Sequence, residues 1–96
     1  MRRRYVVAYD VTDPKRLRKL HSKMRGFGDP VQYSVFICDL LEKEKVLLVM
    51  AVDEIINHRE DRVIIIDTGS IKGEAERIEF IGVPLSPVEE RVAVIV

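Results

Sequence analysis

The chain of 96 residues holds one cysteine, one asparagine and one glutamine, and its 16 Lys+Arg and 16 Asp+Glu cancel to a net charge of zero. Each scarcity excludes something. A single cysteine makes neither an internal disulfide nor a four-cysteine zinc site, which favours a reducing, cytoplasmic setting over secretion. The longest apolar run, Val46 to Val52, is too short to span a bilayer. The apolar stretch behind the basic N-terminus ends at Asp10 without a small-residue cleavage site, so a signal peptide is not expected. There is no internal repeat and no low-complexity segment. With 47% apolar residues and no charge excess, disorder is excluded as well. Few Asn and Gln beside many Glu, Lys and Arg is a pattern that resembles thermophile proteins. The length fits one domain, whose modest core buries roughly 60–65% of the unfolded surface.

The charge is segregated. Residues 1–25 carry nine bases (Arg2, Arg3, Arg4, Lys15, Arg16, Arg18, Lys19, Lys23, Arg25) and two acids (Asp10, Asp13), which leaves +7, and the remaining seven bases and 14 acids leave −7. One face is therefore expected to meet something anionic, although a solvated, salt-bridged helix has the same composition.

Arg4–Asp10 is rich in β-branched and aromatic residues and reads as a strand. Thr12 or Asp13 caps a helix over residues 14–25, with Pro14 in the first turn and Leu17, Leu20 and Met24 on a buried stripe. Gly26 and Gly28 end it. Val31–Leu40 is a strand region. Glu42–His58 reads as a helix, because no turn residue interrupts its long apolar stretch. Arg62–Asp67 is a strand, Thr68–Glu76 a loop, Arg77–Gly82 a strand, Pro84–Pro87 a stiff connector and Val92–Val96 a terminal strand. This order suits an α+β sandwich, with an antiparallel sheet carrying two helices on one face. Residues 1–83 form the domain and 84–96 a connector with its strand. The strands are apolar on both faces: Tyr5, Val7 and Tyr9 oppose Val6 and Ala8, and Val63 and Ile65 oppose Ile64 and Ile66. Two helices cover one face only, so the other is expected to pack on a second copy of the chain, with the C-terminal strand exchanged onto the partner's sheet edge.

Asp10 closes the first strand just ahead of the basic helix. A carboxylate so placed can hold a metal for phosphoryl chemistry, since Mg²⁺ needs only one or two protein carboxylates. Arg16 and Arg18 would grip the phosphodiester. Aspartates also end strands as turn formers.

Tyr9-Asp10-Val11, the Asp13-to-Arg18 helix start and Val31-Gln32-Tyr33-Ser34-Val35-Phe36 together resemble the second core CRISPR-associated protein family, the small proteins of spacer acquisition named as endoribonucleases. The likeness covers nearly the whole chain. It implies a ferredoxin-like fold and a homodimer with exchanged terminal strands. It also implies Asp10 of both copies facing a cleft where Mg²⁺, or Mn²⁺, binds as the catalytic metal. The implied activity is metal-dependent endonuclease cleavage of RNA or DNA. The alternative is a non-catalytic bridge that holds DNA between dimers of the CRISPR integrase protein. Tyr9, Arg16, Arg18, Ser34 and Phe36 fall on motif positions, and Lys15 and Lys19 extend the nucleic-acid-binding helix. Two features depart from the family's pattern. Only about ten residues separate the helices where a ferredoxin-like sheet needs two strands, so Val31–Leu40 is one bent strand or two short ones. Pro30 also stands where many members carry a basic residue.

Other polar residues have plainer readings. Asp13 is a cap. Asp67 lies at the far edge of the sheet from Asp10. Tyr9 and Phe36 pack in the core or a dimer interface. His21 and His58 lie on the surface. Cys38 is a small buried apolar residue. Arg2, Arg3 and Arg4 contact phosphate or fray. Gly69–Gly73 is a turn that lacks the spacing of a phosphate-binding loop. A third functional class, an amino-acid-binding regulatory module, shares the fold, but Lys15 stands where its ligand loop carries glycine.

Overall fold

A computed structural model describes residues 1–70, 78, 79 and 81–83. Its elements run β1 (Arg3–Asp10), α1 (Pro14–Met24), β2 (Asp29–Gln32), β3 (Val35–Leu40), α2 (Glu42–Ile55) and β4 (Arg62–Ser70). The sheet has the order β2-β3-β1-β4, and every neighbouring pair is antiparallel. A β-α-β-β-α-β chain in this order is the ferredoxin-like arrangement. The residues between the helices supply two short strands, joined by a turn at Tyr33 and Ser34. Pro30 is tolerated because β2 lies at the sheet edge, where no ladder partner needs its missing N–H.

Asp13 caps α1 by accepting the Arg16 backbone N–H at 2.9 Å, and Pro14 follows at the first helical position. At α2, Leu41 has no side-chain acceptor, so only half of a capping box forms. The Leu41 N–H donates to Glu44 at 2.8 Å. Both helices cover one face of the sheet. There Tyr5, Val7 and Tyr9 of β1 meet Phe36 and Cys38 of β3, Leu20 and Met24 of α1, and Leu48 and Val52 of α2, all buried. Burial raises the Cys38 thiol to about 12, with smaller contributions from Asp39 and Asp29, so it stays protonated as an apolar filler.

The opposite face is unevenly covered. Val6 and Ala8 are half-buried, while Ile64 and Ile66 are about half exposed at 51% and 49%. The helix layer also carries an exposed apolar stripe on α2, made of Val46, Leu47, Val49 and Met50. Among the described residues no helix is long and apolar enough to cross a membrane.

Several expectations change. α2 ends at Ile55, ahead of the expected His58. β4 runs on through Ser70, where a loop was expected from Thr68, because Thr68 forms a bulge. The register passes from Tyr5↔Asp67 to Arg4↔Gly69, the Thr68 hydroxyl donates to the Arg4 carbonyl at 2.8 Å, and Gly69 takes a positive φ of 106°. Gly69 and Ser70 therefore belong to a strand, not to a turn. The expected strand Arg77–Gly82 falls largely outside the described residues, and the described Ile78, Glu79, Ile81 and Gly82 are not in a strand. The connector and terminal strand of residues 84–96, and any exchange of that strand, lie outside the described residues.

Gly28 is the position where backbone approach is tightest. A Cβ there would collide with the Ile37 carbonyl oxygen and would lie 2.6 Å from Cys38 Sγ and 2.9 Å from Cys38 Cα. Relief would require β2 to move away from β3. Gly28→Ala is expected to lower stability by about 1–3 kcal/mol, read as a lower urea midpoint with an unchanged slope. An unchanged midpoint would show that β2 shifts without cost.

Candidate functional site

Asp10 ends β1 with its side chain in solvent. Among the described residues its carboxylate forms no ion pair and accepts no hydrogen bond. Two other segments converge on this end of the sheet. Tyr9 donates its backbone N–H to the Ser34 carbonyl at 3.0 Å, and Asp10 faces Arg62 across the β1–β4 ladder. The start of α1 follows directly.

The loop between α2 and β4 is locked beside it by an ion pair. Arg16 Nε donates to Asp61 Oδ2 at 2.8 Å and its second guanidinium nitrogen to Asp61 Oδ1 at 3.1 Å. The Asp61 side chain is fully shielded from solvent. The same carboxylate accepts the Asn57 backbone N–H at 2.8 Å, and Thr12 also hydrogen-bonds to it through its backbone. Glu60 adds a weaker contact to Arg16 at 3.1 Å. A shielded bidentate pair of this kind is strong and fixes orientation. Arg16 thus holds the frame of the site, and its guanidinium is occupied. Asp61 was missed in the sequence because an acid in a Glu-Asp loop carries no local mark of its distant partner.

Other basic residues are also engaged. Arg2 pairs with Glu44 at 2.7 Å, Arg3 with Asp67 at 2.9 Å and Arg4 with Asp39 at 2.8 Å. The N-terminal arginines are therefore not frayed: β1 begins at Arg3, and each of the three lies beside a carboxylate. Asp67 lies at the opposite end of β1 from Asp10, as expected. Lys15, Arg18, Lys19, Lys23 and Arg25 are exposed along α1, and none of them pairs with a carboxylate among the described residues. Of the nine bases in residues 1–25, these five on α1 and its C-cap are the ones left without a carboxylate partner among the described residues.

Tyr9 and Phe36 are core residues, 6% and 0% exposed, with rings stacked at 6.2 Å. Ser34 lies in the turn and is half-buried. His21 departs from its surface assignment. It is partly buried edge-on to Phe36 at 5.2 Å, with Nδ1 3.2 Å from the Tyr9 hydroxyl. Burial lowers its pKa, helped by Arg25, and a hydrogen bond to the Tyr33 backbone opposes this only in part. The His58 side chain is exposed, as expected. No cluster of three or more His, Cys, Asp or Glu able to hold a metal exists among the described residues.

A ferredoxin-like domain with an unpaired carboxylate at the end of its first strand and a basic helix behind it is the class that fold and site define. The family model "CRISPR associated protein Cas2" matches residues 1–73, and the chain belongs to that family. It is 38% identical over 91 residues to the CRISPR-associated endoribonuclease Cas2 of Geobacter sulfurreducens, covering 95% of this chain and 96% of the relative. It superposes on Streptococcus pyogenes Cas2 at pH 6.5 with a TM-score of 0.72 and 31% identity, covering 82% of this chain and 99% of that one. A hypothetical protein from Thermus thermophilus superposes with a TM-score of 0.77 and 30% identity, covering 90% and 98% of the two chains.

The Arg16 hydrogen bonds hold Asp61 below its ordinary pKa of 3.8, with further help from the Asn57 and Thr12 backbone and with desolvation opposing. Because the folded value lies below the unfolded one, the stabilisation is full above the unfolded value and is lost as pH falls through the folded one. Wild type should therefore melt above Asp61→Asn at neutral pH, with the gap closing as pH drops below about 3.8. Thermal melts across this range check it, and a gap independent of pH would count against the pair.

Proposed function

We propose that this chain is a metal-dependent endonuclease of CRISPR spacer acquisition, cleaving phosphodiester bonds of RNA or DNA at a cleft formed by two copies. The carrying observation is the exposed, unpaired Asp10 carboxylate at the head of the unpaired basic stripe Lys15, Arg18 and Lys19. The relatives' names, endoribonuclease and endonuclease, point the same way.

One carboxylate suits Mg²⁺ or Mn²⁺, because such hard cations keep waters and take substrate oxygens as their remaining ligands. Asp10 would hold the ion, with the second copy's equivalent carboxylate as the other protein ligand. The ion would supply an acidified water and offset charge developing on the phosphate. Lys15, Arg18 and Lys19 bind the backbone by charge and carry no sequence information. Arg16 acts as a positioning residue, fixing the α2–β4 loop beside the strand end. Tyr9, Phe36 and Ser34 support that end by packing and by the Ser34 carbonyl.

The second copy follows from the open sheet face. Val6, Ala8, Ile64 and Ile66 form an apolar surface that a matching copy would cover. Ile66→Asp should shift sedimentation from dimer to monomer, and a dimer unaffected by this change would remove the face from the interface.

One observation favours the alternative, a non-catalytic DNA bridge to the CRISPR integrase protein. Among the described residues Asp10 is the single acidic ligand at this strand end, and no separate general base lies beside it. Asp10→Ala separates the readings. Under the nuclease reading, Mn²⁺- or Mg²⁺-supported cleavage falls about a hundredfold or more while nucleic-acid affinity is retained. Equal cleavage by purified wild type and variant would end the enzymatic reading.

A further inference from the structure

We propose that the cleft between α1 and the β2–β3 turn receives a single unpaired nucleotide, its base against Tyr33 and its phosphate between Arg18 and Arg25. The inference rests on the nucleic-acid reading above and adds the form of substrate.

Leu17, Arg18, His21, Ser22 and Arg25 lie along one side of α1, at the i, i+4 and i+8 spacing that stacks side chains on a helix. With Tyr33 and Ser34 they line a cleft of about 480 Å³, within the roughly 300–1,000 Å³ of small-molecule sites. Its composition is divided. Leu17 and the two rings offer apolar surface, Ser22 and Ser34 offer hydroxyls, and the exposed Arg18 and Arg25 complete the lining.

Tyr33 is the first unusual feature. It is 81% exposed, while Tyr5, Tyr9 and Phe36 are buried. A turn residue contributing nothing to the core gains nothing from a large ring. The turn is nevertheless held in place. Its backbone is tied to His21 and to the Tyr9 N–H, so the ring stands on a fixed support. An exposed ring on a turn held by its backbone, beside an apolar cleft, is a stacking platform for a base.

The arginines are the second. Neither Arg18 nor Arg25 has a carboxylate partner among the described residues, whereas Arg2, Arg3, Arg4 and Arg16 all do. Arg25 is close enough to His21 to disfavour a second positive charge there. Two uncompensated guanidiniums lining one cleft match a phosphate, which each can grip by two parallel hydrogen bonds. A neutral apolar ligand would leave that charge unanswered, and an isolated anion would leave the ring unused. A paired base presents no free face to Tyr33. The ligand that uses both parts is an unpaired nucleotide within a strand.

The test uses a blunt duplex and the same duplex with a short single-stranded tail carrying 2-aminopurine. Wild type should bind the tailed form more tightly and quench its fluorescence. Tyr33→Ala should cost about tenfold on the tailed duplex and abolish quenching, while Tyr33→Trp restores both. The exposure of Tyr33 keeps folding out of the comparison. Arg25→Ala should reduce the salt slope for the tailed duplex by about one. Equal affinity of wild type for both forms, or quenching that survives Tyr33→Ala, overturns the nucleotide cleft and leaves the nucleic-acid reading standing. Binding to neither form overturns both.

Discussion

The pair between Arg16 and Asp61 joins three segments that the chain keeps apart: the turn after β1, the first turn of α1 and the loop leading into β4. Asp61 accepts from Arg16 through both oxygens, and from the backbones of Asn57 and Thr12. Every partner lies within a few residues of Asp10 or of its cross-strand neighbour Arg62. Breaking the pair would leave a charge shielded from water, which is costly. The geometry of the strand end therefore depends on Asp61, a residue of a loop 51 positions further along the chain than Asp10.

The same pairing redraws the charge map. Nine bases lie in the first 25 residues, and four of them, Arg2, Arg3, Arg4 and Arg16, are tied to acids from the later part of the chain. The acidic remainder is thus a set of partners for the basic start as well as a solubilising surface. What survives is a stripe of five exposed bases on α1 and its cap. Charge segregation in the sequence overstated the width of the basic face and was right about its position.

Much of the fold was legible. The β-branched and aromatic content of Arg4–Asp10, the Asp13-Pro14 start of α1 and the Leu17-Leu20-Met24 stripe are each a local signal, and each element formed where expected. What escaped were features set by non-local contacts. The bulge at Thr68 depends on Arg4, 64 residues earlier, and no turn or strand rule sees it. His21 is an ordinary helical histidine until β3 places Phe36 beneath its ring. Asp61 carries no pattern at all. Asp10 was legible as a position, because a carboxylate closing an apolar strand stands out, but its lack of partners among the described residues is a property of the fold.

The sheet connects these points. β1 is central, with β3 on one side and β4 on the other, so its end cannot move without both neighbours. β4 carries Ile64 and Ile66 on the open face, and Arg62, opposite Asp10, on the same strand. Under the proposed reading, a second copy covering Ile64 and Ile66 acts on the same strand that flanks the carboxylate. One acid per chain is a weak ligand set for a divalent ion, and two copies related by a two-fold axis would double it. Metal affinity and self-association are then linked: whatever stabilises the dimer raises affinity for the ion, and the ion stabilises the dimer in return.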